Sequence, residues 1–250
     1  MRVDAHQHFW HYNPQRDTRV TKEMAVLKRD FLAGDLRGES IANRFYSSIV
    51  VPADQSEAKT AFLLDIAAQA AWVAAVVGWV DLTSPRLAER LKFFTQFSKL
   101  RGFRHVVQAE PDERFLVRAN FLRGLREPEL FRFTYQLLVY RDQWKTRIRE
   151  LAQSPNVCCK LSGLVTEADW HCWKYEDLVP FLAVVFEALS RHRLMFGSDW
   201  PVCLLAASYA QVVQIIEAYI ERHAPAAHGK IFGANALRFY GVETPAWTCN

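Results

Sequence analysis

Arg2-Val3-Asp4-Ala5-His6-Gln7-His8-Phe9 reads as a β-strand that ends in two histidines. Period-two geometry puts His6 and His8 on one face, with Asp4 beneath them. Downstream, short apolar, β-branched stretches alternate with helical periodicity, which implies a parallel sheet with crossover helices. The expected strands after the first are Ser47 to Ala53, Val76 to Leu82, Gly102 to Val107, Phe133 to Val139, Asn156 to Ser162 and Leu194 to Trp200. Helices are expected at Glu57 to Ala70 with Ser56 as N-cap, after Pro85, at Trp144 to Ala152, at Glu176 to Ser190, at Tyr209 to Arg222 and at Gly229 to Tyr240. That gives seven strands where a closed (β/α)₈ barrel needs eight.

Outside these elements nothing marks a linker or a repeat, so residues 1–250 are read as a single domain. The formal net charge is +4, from 31 basic and 27 acidic residues that are interspersed. No basic run tracks a phosphate backbone, so no nucleic-acid partner is expected. Five cysteines, with Cys158 and Cys159 adjacent, do not form a disulfide framework and suit a reduced, cytoplasmic protein. The chain opens on a strand-like segment, so no signal peptide is expected. The apolar run Ala67 to Val80 is too short to span a bilayer, so no membrane partner is expected either. A homo-oligomer is left open.

Two neutral imidazoles at a strand end suit a divalent metal such as zinc, or a polar substrate. Asp199 ends the apolar run Met195-Phe196-Gly197-Ser198-Asp199, where a carboxylate can take a proton from water or ligate a metal. The last strand of a barrel neighbours the first, so Asp199 is expected to face His6 and His8. These three are the expected catalytic residues and metal ligands. Of the adjacent Arg104 and His105, only one can face inward. Either could contact substrate, Arg104 as a clamp or His105 in acid–base work. Lys160, inside an apolar strand, is expected to pair with an acid. Trp10 and Trp200, and also Trp170 and Trp173, fall near predicted loops, where aromatic rings suit sugars, although packing is the commoner use of such residues.

Taken in order, Asp4-Ala5-His6-Gln7-His8-Phe9-Trp10, Val77-Gly78-Trp79-Val80-Asp81-Leu82, Gly102-Phe103-Arg104-His105, Lys160-Leu161-Ser162-Gly163-Leu164 and Phe196-Gly197-Ser198-Asp199-Trp200-Pro201 resemble the amidohydrolase-superfamily sugar-lactone hydrolases, the L-fuconolactonase and L-rhamnonolactonase type. The resemblance implies a (β/α)₈ TIM-type barrel and hydrolysis of a small sugar lactone (an aldono-lactone), a reaction of carbohydrate metabolism. It also implies His6, His8 and Asp199 as active-site residues. Metal dependence is not uniform in that family. Two departures stand out. Pro52 replaces a usual glutamine. Val139-Tyr140-Arg141-Asp142 runs almost directly into Trp144-Lys145, so roughly thirty to forty residues, about one strand–helix unit, are expected to be missing. That unit would carry a histidine on the sixth strand. The barrel is therefore expected to be distorted or short of one unit, and loss of that acid–base partner would cost about 10²–10⁴-fold in rate. Two other readings stay open: a decarboxylase of the same superfamily, and a truncated member that is impaired or inactive.

Overall fold

The computed structural model describes residues 1–106, 115, 118–137 and 148–243. Seven strands are present among them: β1 Arg2–Gln7, β2 Phe45–Val50, β3 Val73–Gly78, β4 Leu100–His105, β5 Thr134–Leu137, β6 Cys159–Leu161 and β7 Leu194–Phe196. β1 to β5 form a parallel sheet in chain order, and β6 pairs with β7 in a second parallel ladder. The two ladders meet where β1 runs beside the segment after β7. There the Asp199 amide donates to the His6 carbonyl at 2.8 Å and the His8 amide to the Trp200 carbonyl at 2.7 Å. The result is a curled parallel wall, a half-barrel, ordered β5-β4-β3-β2-β1-β7-β6.

The wall does not close among the described residues. β5 and β6 lie at its two ends and share no backbone ladder. Side chains bridge them instead: the Lys160 ammonium donates to the Gln136 amide oxygen at 2.8 Å. The described residues thus agree with the expected distorted or incomplete barrel. The segment Arg141 to Lys145, where a strand–helix unit is expected to be missing, lies outside the described residues, as do Leu138 and Val139 of the expected fifth strand. Of the expected helix Trp144 to Ala152, residues 148–152 are described and helical.

Helices cover the outer face as the periodicity requires. Helix Glu57–Gln69 starts at Ser56, whose hydroxyl accepts the Lys59 amide. Helix Tyr209–His223 buries Val212, Val213, Ile216 and Ile220 against the wall. Outward strand residues such as Val50, Val76 and Phe103 join those helices in one large core. The inner face holds a smaller cluster of Val3, Ala5, Ile49, Val51, Ala75, Val77 and Met195, closed by Leu237 and Tyr240 of helix Asn235–Tyr240. Helices Ala33–Ala42 and Glu127–Leu130 were not anticipated. Ala33–Ala42 has only a weakly apolar face, with Leu36 and Ser40 buried, so periodicity gave no sign of it. The third strand is Val73–Gly78, and its expected end at Leu82 lies four residues too far on because Val80 and Leu82 continue the apolar run into the following loop.

Candidate active site

β1 is not a regular strand. Asp4 pairs with Ser48 and Gln7 with Val50, three residues of β1 against two of β2, so one extra residue is inserted between them. The consequence is specific. Val3 and Ala5 face the inner cluster, and His6 also turns inward, so strict alternation fails at Ala5–His6. The expected placement of Asp4 below the histidines is corrected for this reason. Asp4 faces the other side, where it accepts from the Ser198 hydroxyl at 2.6 Å and the Tyr209 hydroxyl at 3.2 Å. It also accepts the amides of His6 at 3.1 Å and Ser198 at 3.0 Å. Burial raises the Asp4 carboxyl to about 6, against those hydrogen bonds. One carboxylate therefore holds the backbone just before Asp199 and at His6.

His6, His8 and Asp199 converge, each at most 8% exposed. The Asp199 Oδ1 lies 3.4 Å from His6 Nε2 and 3.3 Å from His8 Nε2. The tautomers follow from the partners. His8 Nδ1 faces the Val51 carbonyl at 2.8 Å, which can only accept, so Nδ1 carries the hydrogen. His6 Nε2 lies 3.1 Å from Arg104 Nη1, which can only donate, so His6 Nε2 is a lone pair and Nδ1 donates to Ser162 Oγ at 2.8 Å. Burial pushes both imidazoles below the ordinary histidine range. For His6 the charges of Lys160, His8 and Arg104 add to this; for His8 the Asp199 carboxylate works against it. Burial thus favours the neutral form of both rings, and the lone pairs of His8 Nε2 and Asp199 Oδ1 face one place together with that of His6 Nε2, which here accepts from Arg104.

That arrangement fits a cation. The three ligand atoms lie within 4.8 Å of one another. Arms of about 2.0–2.1 Å at tetrahedral angles set zinc ligands about 3.3 Å apart, close to the two Asp199 distances. Neutral imidazoles facing a carboxylate oxygen also repel it unless a positive charge lies between them. Asp199 itself sits in the left-handed region at φ 59°, a conformation aspartate tolerates better than most residues. Its Oδ2 takes the Thr166 hydroxyl at 3.4 Å. Gly197 lets this strand approach β1: a Cβ there would lie 2.5 Å from the His6 Cβ.

The other expected contacts divide. Arg104 faces inward and touches His6. His105 faces outward, stacked on Phe115 at 4.8 Å and edge-on to Phe121 at 5.7 Å, so it belongs to the helix layer and is removed from the expected substrate contacts. Trp10 and Trp200 are removed too. Trp10 packs on Phe31 and donates to the Arg29 carbonyl, and Trp200 packs on Phe31 and Phe9. Both rings build the outer core. Among the described residues Lys160 pairs with no acid; its partner there is Gln136. Thr166, Gln136 and Tyr240 were not anticipated, and no spacing in the sequence marks them.

The amidohydrolase family model matches residues 3–138 and 138–242. An L-fucono-1,5-lactonase of Burkholderia multivorans is 38% identical, with 98% of each chain covered. A second L-fucono-1,5-lactonase, of Burkholderia ambifaria, is 30% identical over 98% of this chain and 97% of its own. The crystal structure of an amidohydrolase from Burkholderia multivorans with bound zinc superposes with a TM-score of 0.92. It is 37% identical and covers 97% of this chain and 100% of that one. The first alignment runs over 290 positions although this chain has 250 residues, so at least forty positions are met by no residue here. The two matched stretches of the family model meet at residue 138, one residue past the end of β5 and at the opening of the wall. By sequence and by fold, this chain belongs to the amidohydrolase family.

Proposed function

We propose that the chain hydrolyses a small sugar lactone of the L-fucono-1,5-lactone class, with Asp199 as the proton-transferring group. The observation that carries this reading is the convergence of Asp199, His6, His8 and Arg104 at the C-terminal ends of the strands. It is supported by relatives named as lactonases at 30% identity and above.

Asp199 Oδ1 accepts a proton from water as the water oxygen attacks the lactone carbonyl. Arg104 offers its guanidinium to the oxygen that becomes negative. The carbonyl–ring-oxygen bond then breaks, and the proton held on Asp199 passes to the ring oxygen, which becomes a hydroxyl. Lactone and water give one hydroxy acid, which ionises at neutral pH. His6 and His8 would hold a divalent ion together with Asp199; when bound, such an ion supplies positive charge to the attacking water or to the carbonyl. Ser162 and Val51 fix the orientation of the two rings.

Neither the decarboxylase reading nor the inactive-fragment reading is favoured by these relatives. Residues 1–250 are read as one domain acting on a small molecule, in the cytoplasm and in carbohydrate metabolism. Among the described residues no helix is long and apolar enough to cross a membrane. The decisive experiment follows proton release from L-fucono-1,5-lactone at neutral pH. Turnover above background, reduced about 10²-fold or more by Asp199→Asn, is expected. Turnover that Asp199→Asn leaves intact would overturn the assignment.

A further inference from the structure

Among the described residues β5 and β6 share no ladder, which leaves an opening between them. A cavity of about 550 Å³ occupies it, within the range that takes small ligands. His6, Arg104, Gln136, Lys160, Ser162 and Tyr240 line its inner part. Phe133 and Ile148 line its outer part, so the space runs from the catalytic centre through the wall into the helix layer.

Two cations face this space. Arg104 and Gln136 are register partners on β4 and β5 and so share a face. Lys160 reaches Gln136 from β6, and Gln136 in turn donates to the Tyr240 hydroxyl at 2.6 Å. Among the described residues no carboxylate lies within ion-pair distance of Lys160 or Arg104. Asp199 is turned to His6, His8 and Thr166, and Asp4 is turned outward to Ser198 and Tyr209. A buried cation without a counter-ion is unfavourable, and two side by side more so. Burial, with the Arg104 charge next, holds the Lys160 ammonium well below the ordinary lysine range. An anion between the two would relieve both.

We propose that the cavity at the open seam is an anion subsite that takes the carboxylate of the ring-opened sugar acid, held by Lys160 and Arg104. This rests on the lactone-hydrolase reading for the identity of the anion. The substrate is neutral and the product is charged, so the subsite discriminates between them and makes the enzyme sensitive to its own product.

Calorimetric titration of EDTA-treated protein with L-fuconate, and separately with the neutral polyol L-fucitol, tests the subsite without any metal bridging the carboxylate. Wild type is expected to bind L-fuconate at least tenfold more tightly than L-fucitol. Lys160→Met is expected to weaken L-fuconate about 10–100-fold, the loss of a charge-assisted contact, and to leave L-fucitol unchanged. Lys160→Arg should retain most of the L-fuconate affinity. Circular dichroism and thermal melting of both variants establish that they fold. L-fuconate bound no more tightly than L-fucitol, or equally by wild type and Lys160→Met, overturns the subsite. Lactone turnover by the same proteins before EDTA treatment, with zinc present, separates the two readings. Turnover with Lys160-independent product binding sinks the subsite alone. Lys160-dependent binding without turnover supports the subsite and sinks the lactonase reading.

Discussion

Ser198 donates its hydroxyl to the Asp4 carboxylate at 2.6 Å, and the same carboxylate accepts the amide of His6. The residue before one site group is thereby tied to the backbone of another. Ser198→Ala removes a donor from a buried acid and leaves it short of one partner. We expect a loss of about 1.5–3 kcal/mol in urea unfolding, read as a lower midpoint with unchanged slope. Tyr209→Phe, at 3.2 Å, should cost less. Equal stability of Ser198→Ala and wild type would mean that Asp4 is not anchored through this hydroxyl.

Zinc should stabilise the folded chain. Three lone pairs converge on one place only in the native state, so binding there raises the melting temperature with concentration. His8→Ala and Asp199→Ala should each abolish most of that shift. Because both histidines titrate below their ordinary range, the shift should persist at pH values somewhat below 6.5, where exposed histidines have lost their affinity. A melting temperature that zinc raises equally in wild type and His8→Ala would place the ion elsewhere.

Lys59 sets a pH dependence of its own. Its side chain is 5% exposed, with Asp54 at 4.0 Å, and burial lowers the ammonium to about 8. Between about 8 and the unfolded value of 10.5 the unfolded chain binds more protons than the folded one. Stability from this group therefore rises with pH across that window, and below it the full burden of roughly 3 kcal/mol is present. Lys59→Met should remove that part of the rise and be more stable than wild type at pH 7. Parallel stability curves for the two proteins from about pH 7.5 to 10 would contradict this.

The two ends of the wall should exchange their amides faster than its middle. β2 and β3 are paired on both sides, whereas β5 and β6 each have one ladder among the described residues. Hydrogen exchange should therefore show protection falling from Ile49 and Val76 to Tyr135 and Lys160. Uniformly slow exchange across 134–137 and 159–161 would reveal a sealed sheet.

Much of this molecule was legible in its sequence. Seven apolar runs gave seven strands, and the ends of the first and last carried His6, His8 and Asp199 to one place because neighbouring strands follow from parallel winding. What could not be read depended on one inserted residue. Alternation is a local rule, and the bulge at Ala5–His6 breaks it without any signature in side-chain type, so alternation puts Asp4 on the wrong face. Arg104 and His105 were ambiguous for a related reason: register decides which of two neighbours points inward, and register is set by the partner strand. Trp10 and Trp200 looked like platforms for sugar rings, but Phe9 and Phe31 claim them, a contact between distant segments that no window reveals.

The open seam also divides the molecule. Residues 1–137 carry β1 to β5 with both histidines and Arg104, and residues 148–243 carry β6, β7 and Asp199. The strand hydrogen bonds joining these arcs run along one line, from Asp199 and Trp200 to His6 and His8. On the opposite side no sheet bond among the described residues would be lost by cutting the chain. Two complementary pieces carried on one chain meet at high effective concentration. The candidate site is thus a clasp between the two arcs, assembled by the same contacts that assemble the fold.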